Sequence, residues 1–303
     1  MNRTTSVNLG CFLKNYNLAD SLKMIRDCGF DGVDFSLWYY SQGDDAPLKK
    51  DNWREFVLEA RRMLDENSLC VPQAHAHWRH EGQLQRDFSY VLPGEIFARN
   101  IEACDMLGCN KLVFHPIQHF FPIENEAETR RKVLDANVAW FSALIPVAEK
   151  FGVQLLIENL FDYQHIQSPD APPIPLSRGE DLLYVIEKIN HPLVQICLDT
   201  GHANIAGSSI PAMIRMFGDH LRALHLQDNY GKISPIYEDI HQFPGTCDID
   251  WKEVFLALKE TNCDVTLNME ISARLDGQPY EIQKLRLNCG RELLLKMAEI
   301  YTA

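Results

Sequence analysis

The chain has 303 residues, 46% of them hydrophobic and 23% charged, and its 29 basic against 42 acidic side chains give a net charge of −13. This composition is ordinary for a globular enzyme with a large core, and the length suits one α/β barrel as well as two average domains. Because a uniformly acidic surface repels phosphate backbones, the charge argues against a dedicated nucleic-acid partner.

The cysteines and the amino-terminal segment bear on the compartment. The nine cysteines are scattered and form no CxxC pair, which is typical of reduced cysteines that pack in the core of a cytosolic protein. Residues 1–9 contain no long apolar stretch of the kind that a secretory leader needs, and no later segment approaches the length of a spanning helix. We therefore expect a soluble cytoplasmic protein with no membrane partner.

Eight short apolar runs recur along the chain. They are bounded by Gly, Pro or Asn and are rich in β-branched or aromatic residues, as is typical of buried parallel strands. In chain order they are Ser6–Leu9, Gly32–Leu37, Val71–Ala74, Lys111–His115, Val153–Glu158, Val194–Asp199, Leu221–Leu226 and Val265–Glu270.

Helical patterns separate these runs. Residues Asp135–Lys150 carry an apolar stripe at spacings of three and four, which predicts a helix that packs on a sheet; the stripe is Leu134, Val138, Phe141, Ile145 and Ala148. Ser209 with Pro211 predicts the start of another helix, and Asp250 predicts the start of a third. Three glycines follow helical patterns as carboxyl-terminal caps do; they are Gly29, Gly108 and Gly152.

The alternation of strand and helix predicts the fold class. Eight such units indicate an α/β protein with a (β/α)8 TIM barrel, and the absence of a linker predicts a single domain over residues 1–303. A doubly wound open sheet is the alternative, but it usually has a glycine-rich phosphate turn, which this sequence lacks. In a barrel the carboxyl ends of the strands gather at one face, where active sites lie.

Four predicted strands end in a metal-ligand or acid/base residue, namely Glu158, Asp199, His225 and Glu270. The gaps between these positions are 41, 26 and 45 residues, each long enough for a helix and a returning strand. Three carboxylates brought together would repel one another, and a divalent cation is the simplest relief. The sequence therefore predicts one divalent metal ion (Mn²⁺, Co²⁺, Mg²⁺ or Zn²⁺) held by these four residues.

Other histidines end predicted strands on the far side of the barrel mouth. His115 follows an apolar run directly, and His75 and His77 follow another. Their position predicts contact with substrate hydroxyls, although His77 could equally lie in a solvated loop.

Two further histidines follow the predicted ligands in sequence. Gly201 permits a sharp turn after Asp199, so that His202 could return as a partner of a ligand, a substrate contact or a ligand to another metal. Asp239 and His241 alternate as the residues of an extended segment do, which predicts either a chelating pair or a loop anchor. We expect His202 and His241, with the histidines across the mouth, to bind substrate.

Two connections beyond the predicted strands are long, 159–178 with four prolines and 227–250. Loops of this size in a compact domain are usually lids or walls of a site, and an oligomer contact is the alternative. The exit loops are rich in aromatic residues, which could stack on a sugar or pack within loops or a dimer. These are Trp38, Tyr39, Tyr40, Trp78, Phe120, Phe121, Phe161, Tyr163, Tyr230 and Tyr237.

Over nearly its whole length the sequence resembles the xylose isomerase-like TIM-barrel superfamily, in the sugar isomerase/epimerase branch to which endonuclease IV is related. The segments that carry the resemblance are Leu156–Asn159, Leu198–His202, Leu224–Asp228 and His241–Gly245 running into Ile249–Trp251. The resemblance to ketose 3-epimerases implies that Glu158, Asp199, His225 and Glu270 bind one divalent ion. It also implies that the two glutamates form the acid/base pair and that His202 binds substrate.

The resemblance has one departure and one alternative. The ketose 3-epimerases carry an arginine shortly after the ligand histidine, where this chain has Gly231 and Lys232. The endonuclease branch uses a trinuclear zinc site, and its ligand positions match His75 or His77, His115, Glu158, Asp199, His202, His225, Asp239, His241 and Glu270. The acidic charge weighs against that branch, because a DNA enzyme normally carries a basic stripe.

The expected activity is that of a metal-dependent isomerase or epimerase acting on a small polyhydroxy carbonyl compound, a sugar or sugar acid. The metal would stabilise an enediolate while Glu158 and Glu270 remove and return a proton. The alternatives are a trinuclear zinc phosphoesterase resembling endonuclease IV, a dehydratase of the inosose type and a non-catalytic sugar-binding barrel. Assembly into a homo-oligomer stays open.

Overall fold

Eight parallel strands form the sheet in a computed structural model that describes residues 4–78, 84–119, 125–161, 175–231, 239–272 and 277–303. They are β1 Thr5–Asn8, β2 Gly32–Ser36, β3 Cys70–His75, β4 Lys111–Phe114, β5 Gln154–Glu158, β6 Val194–Asp199, β7 Leu221–His225 and β8 Leu267–Met269. Their hydrogen-bonded order is β7-β6-β5-β4-β3-β2-β1-β8.

The sheet closes between β7 and β8. The amide N of Leu226 donates to the carbonyl O of Asn268 at 2.8 Å, and the amide N of Glu270 donates to the carbonyl O of Leu226 at 3.1 Å. Closure leaves the strands without free edges, as in a TIM barrel. The predicted (β/α)8 barrel is confirmed, with strand limits that differ by a few residues at most.

Helices follow the strands and pack around the barrel, and the short helix directly after β6 lies at its mouth and carries His202. They are α1 Leu18–Asp27, α2 Trp53–Glu66, α3 Glu95–Met106, α4 Glu126–Phe151, α5 Gly179–Ile189, α6 Thr200–Ile205, α7 Ile210–Phe217, α8 Trp251–Glu260 and α9 Tyr280–Tyr301. Within the described ranges, no helix combines the length and the hydropathy needed to cross a membrane.

The predicted helix ends follow from local hydrogen bonding. The Ser209 side chain accepts from the amide N of Ala212 at 3.4 Å, and the Asp250 side chain accepts from the amide N of Glu253 at 3.2 Å, so each begins a helix as expected. The three glycines predicted to end helices all adopt positive φ; the values are 76° for Gly29, 72° for Gly108 and 66° for Gly152.

Helix α4 contains the predicted segment and is longer than it. It begins at Glu126 rather than near Asp135, with Asn125 accepting from the amide N of Glu128 at 3.1 Å as its cap. Its buried face includes Asn137, whose side-chain amide both donates to and accepts from the backbone of Ile117 at 2.9 Å. The predicted stripe lies on the inner side of the helix, since Leu134, Phe141 and Ala148 are buried and Val138 and Ile145 are partly buried against the core. Apolar spacing could not predict the polar Asn137 on the same face.

The barrel interior explains how the strands position side chains at the mouth. The main core lies between the sheet and the helices, whereas a second apolar cluster fills one side of the interior; it consists of Val113, Leu156, Cys197 and Ala223. The other side is polar and fully buried, with Ser6, Asp34, Gln73 and Asn268. Because side chains alternate along a strand, the residues two positions later also face inward, at the carboxyl-terminal mouth.

Candidate metal centre

The four predicted ligands meet at this mouth. Glu158, Asp199 and His225 are the last residues of β5, β6 and β7, and Glu270 directly follows β8. One ligand atom from each lies within 4.8 Å of those of the other three. The first three residues are fully buried and the Glu270 side chain is 15% exposed, so the cluster is open to solvent on the Glu270 side.

The geometry of the cluster fits a divalent cation. His225 Nδ1 lies 3.0 Å from Glu158 Oε1 and 3.2 Å from Glu270 Oε2. Oε2 of Glu158 and Oε2 of Glu270 are buried and accept no well-formed hydrogen bond; imidazole nitrogens lie 3.2–3.4 Å from them. Buried carboxylate oxygens in this condition are costly unless a cation compensates them, and three carboxylates with one imidazole suit Mn²⁺, Co²⁺ or Zn²⁺.

The surroundings push the carboxyl pKa values in the cluster apart. Burial would raise the pKa of Glu158, but His225, His115 and His202 around it hold that pKa well below its usual range. Burial raises the pKa of Asp199 to about 7; the nearby His202 opposes this rise, whereas Glu270 and Glu158 add to it. Near neutral pH one carboxyl of the cluster therefore still exchanges a proton, which a bound cation would displace.

Asp199 also organises the chain beyond β6. Its Oδ1 accepts from the amide N of His202 at 2.5 Å and caps α6. Gly201 lies inside this helix rather than in a turn, contrary to expectation. A Cβ at Gly201 would lie 2.1 Å from Cδ of Gln227, so the close approach of that side chain, and not backbone freedom, requires glycine here.

Two histidines flank Glu158 on its other side. His75 Nε2 and His115 Nε2 lie 3.4 Å and 3.3 Å from Glu158 Oε2, and the three residues form a second group of ligand atoms within 4.8 Å. His75 Nδ1 lies 3.0 Å from the carbonyl O of Ala76, which turns Nε2 toward the site. His77 instead packs against Phe97 with ring centroids 5.8 Å apart, so His75 is the member of this pair that reaches the site.

His202, Asp239 and His241 form a third group next to the first. His241 Nε2 lies 2.6 Å from Asp239 Oδ2, and His202 Nε2 lies 3.5 Å from the same oxygen. Burial would lower the pKa of His241, but Asp239 beside it raises that pKa to about 10. The side-chain amide of Gln227 bridges the third group and the first. Its Nε2 donates to Asp239 Oδ1 at 3.0 Å and to Asp199 Oδ1 at 3.3 Å.

A buried carboxylate that sequence reasoning left without a role holds the segment carrying Asp239 and His241. Asp228 Oδ2 accepts from the indole Nε1 of Trp251 at 2.9 Å, and the backbone of Asp228 pairs with Gln242. The two oxygens of this carboxylate also accept hydrogen bonds from five backbone amides, with distances of 3.0–3.2 Å. The donors are the amides of Asn229, Gly245, Thr246, Cys247 and Ile249.

Asp34 was not predicted as a site residue. It lies beneath the cluster, and its carboxylate accepts a hydrogen bond from Nε2 of His225 at 3.1 Å. The available signal was a single acidic residue inside the apolar run of β2. Such a residue is buried and must have a polar partner, although the sequence does not say which one.

The aromatic residues divide between the mouth and the core. Trp38 and Trp78 pack edge to face at 6.1 Å, Trp78 lies 6.0 Å from His115, and Phe161 lies 5.0 Å from His202. Tyr40 instead packs against Phe56 away from the site. Five residues named above lie outside the described residues; they are Phe120, Phe121, Tyr163, Lys232 and Tyr237.

The fold and the cluster at the mouth define an α/β barrel with a polar site at the carboxyl ends of its strands. Residues 22–287 match the sequence model of the xylose isomerase-like TIM barrel family. The match covers most of the chain, and the protein belongs to this family.

Individual relatives share modest identity with the chain. A D-psicose 3-epimerase of Ruminiclostridium cellulolyticum is 26% identical over 172 residues, which are 57% of this chain and 51% of the relative. An inosose isomerase of Bacillus subtilis is 21% identical over 176 residues, 58% of either chain. The matched segment thus spans little more than half the length of these curated relatives.

A solved structure shares the fold at greater coverage. The crystal structure of the IolI protein with a binding zinc atom superposes with a TM-score of 0.73 at 18% identity, over 98% of this chain and 99% of that one. At this identity the likeness establishes the fold alone.

Proposed function

We propose that this protein is a divalent-metal-dependent isomerase or epimerase that acts on a sugar or sugar acid. The observation that carries the proposal is the group formed by Glu158, Asp199, His225 and Glu270, which brings three carboxylates and one imidazole within 4.8 Å of one another in a buried site. The names of the relatives, a D-psicose 3-epimerase and an inosose isomerase, support the same reaction class.

The four residues would hold the ion, and the two glutamates would move the proton. A bound divalent ion supplies Lewis-acid polarisation of a carbonyl and its neighbouring hydroxyl, which acidifies the adjacent C–H. Glu158 on β5 and Glu270 after β8 stand on strands separated by β6 and β7. If one carboxylate removes the proton and the other returns it to the opposite face, the product is the epimer. If one carboxylate does both on neighbouring carbons, an aldose and a ketose interconvert.

The histidines around the ligands would bind substrate hydroxyls. His75, His115, His202 and His241 surround the cluster, and each has a ring nitrogen within 4 Å of a carboxylate in the three groups. Trp78 beside His115 and Phe161 beside His202 add apolar walls on two sides of the mouth. This combination of imidazole donors and aromatic faces suits a small polyhydroxy compound.

Solvent isotope exchange tests the proposal. The protein, loaded with Mn²⁺, is incubated in D₂O with ketoses, sugar acids and inososes, and deuterium at the carbon next to the carbonyl is followed by NMR and mass spectrometry. We expect incorporation with at least one substrate class. Loss of water from the product would instead identify a dehydratase, and the absence of exchange from a fully metal-loaded enzyme would contradict the proposal.

Substitution of the two glutamates tests whether they are the residues that transfer the proton. Glu158→Gln and Glu270→Gln should each abolish turnover, because an amide can neither remove nor return the substrate proton. Exposed Glu59→Gln is the matched control and should keep full activity. Retained turnover in either site variant, with circular dichroism unchanged, would remove that residue from the role of essential base.

A zinc phosphoesterase is the second candidate, and the two additional ligand groups favour it. The first of these ligand groups consists of His75, His115 and Glu158, and the second consists of His202, Asp239 and His241. Against it stands the net charge of −13, because an enzyme that acts on DNA normally carries a basic stripe for the phosphates. Elemental analysis of protein purified without chelator distinguishes the two: about one divalent ion per chain supports the isomerase, and about three zinc ions support phosphoester hydrolysis.

A further inference from the structure

A buried carboxylate lies in the middle of the barrel, directly below the metal-ligand group. Asp34 on β2 is 1% exposed, and its Oδ2 is within 3.1 Å of three nitrogen atoms. These are Nε2 of His225 at 3.1 Å, Nε2 of Gln73 at 2.9 Å and Nδ2 of Asn268 at 3.1 Å. Its Oδ1 is buried without a partner, so the barrel retains this carboxylate at a cost that packing does not explain.

The two ring nitrogens of His225 face different environments. Nδ1 points at the ligand group, 3.0 Å from Glu158 Oε1 and 3.2 Å from Glu270 Oε2, while Nε2 points at Asp34. An imidazole binds a metal through an unprotonated nitrogen, and the hydrogen bond made by the other nitrogen decides which one that is. A carboxylate accepts but does not donate, so Asp34 keeps the proton on Nε2. A cation among the ligand carboxylates would then take the place of the proton on Nδ1, which becomes the ligand atom.

The neighbouring amides cannot replace Asp34 as acceptor. Oδ1 of Asn268 accepts from Oγ of Ser6 at 2.7 Å, which turns Nδ2 toward Asp34. Nε2 of Gln73 also donates to the carbonyl O of Leu224 at 3.3 Å, so its donor end faces the same way. For either amide to offer an oxygen to His225, one of these hydrogen bonds would have to break.

We propose that Asp34 is a positioning residue for the metal centre: it fixes the His225 ring so that Nδ1 is the metal ligand. The proposal rests on the proposed function only in assuming a divalent ion at the four-residue group. It assigns to β2 a part in a site whose ligands all come from β5 to β8.

Metal affinity tests the proposal without reference to turnover. Metal-free wild type and Asp34→Ala, which lacks any acceptor for Nε2 of His225, are titrated with Zn²⁺ against a chelating dye. We expect the variant to bind Zn²⁺ about 10- to 100-fold more weakly, the usual effect of losing such a partner. Ser6→Ala is the matched control, since it removes the 2.7 Å hydrogen bond to Asn268 in the same buried layer without touching His225. It should lower the melting temperature and leave Zn²⁺ affinity within a few-fold of wild type.

Wild-type affinity in Asp34→Ala, or an equal loss in Ser6→Ala, would overturn the proposal. If Asp34→Ala does not fold, ¹⁵N NMR of His225 in Zn²⁺-loaded wild type decides the question. A proton on Nε2 and a metal-shifted Nδ1 support the proposal, and the reverse assignment overturns it. Absence of sugar isomerisation with intact Zn²⁺ binding would count against the proposed function and leave this inference standing.

Discussion

At the residue scale, the proton on Asp199 couples metal binding to pH. Its pKa of about 7 means that below this pH the metal-free site holds a proton that a cation must displace. Metal affinity should therefore fall about tenfold more steeply per pH unit below 7 than above it. Above pH 7 the proton on His225 is still to be displaced, because its anionic neighbours, such as Glu270 and Glu158, hold its pKa well above the usual value despite burial. Zn²⁺ titrations over a pH series measure this dependence. In Asp199→Asn the part of the pH dependence that comes from the Asp199 proton should disappear. An affinity independent of pH in wild type would contradict the assignment.

Gly201 offers a second prediction at this scale. Gly201→Ala would force the side chain of Gln227 away from Asp199 and Asp239, because the new Cβ would lie 2.1 Å from Cδ of Gln227. Overpacking of this kind destabilises by about 1–3 kcal/mol. Urea denaturation measures the change. Gly94→Ala, where a Cβ meets nothing within 4 Å, is the control; it occupies the N-cap of α3 and should lose only the small difference between glycine and alanine at a cap.

At the scale of elements, the connection from β7 to α8 depends on one carboxylate. Asp228 accepts from five backbone amides and the Trp251 indole, and it thereby holds the segment that carries Asp239 and His241. In Asp228→Asn at least one of these donors faces an amide NH₂ instead of a carboxylate oxygen.

We expect Asp228→Asn to lose about 2 kcal/mol of stability or more, since hydrogen bonds to a charged acceptor are strong ones. Hydrogen exchange should increase within residues 239–249, while Zn²⁺ affinity at the four-residue group stays near wild type. The exposed cap variant Asp250→Asn is the comparison, because asparagine also caps helices well. Increased exchange throughout the barrel would show that Asp228 supports the whole fold instead.

At the scale of the whole molecule, the ligand group links metal content to stability. Three carboxylates share one site, which favours a bound cation. A cation that binds only the folded state stabilises that state by about 2.7 kcal/mol when its free concentration is 100 times its dissociation constant. Removal of metal by chelator should therefore lower the melting temperature, and added Zn²⁺ or Mn²⁺ should restore it. Glu270→Gln should respond less to both treatments. A melting temperature indifferent to metal in wild type would argue against a metal centre.

The sequence by itself determined the barrel and its four convergent strand ends. Apolar runs that end in Glu158, Asp199 and His225 carry this information locally, because alternation within a strand fixes which side chains face inward and parallel strands end on one side. The placement of Glu270 beside them follows from the same rule once eight units are counted. Roles in catalysis and in metal binding stay proposals for all four.

Only the tertiary structure decided the contacts that cross the barrel. Asp34 and His225 are 191 residues apart in sequence, and Gln73 reaches the backbone of Leu224 over 151. The choice of His75 over His77 and the close approach of Gln227 to Gly201 likewise depend on packing between distant segments. Strand periodicity gives the direction of a side chain, but its partner is set by barrel closure, which brings opposite strands within hydrogen-bond distance.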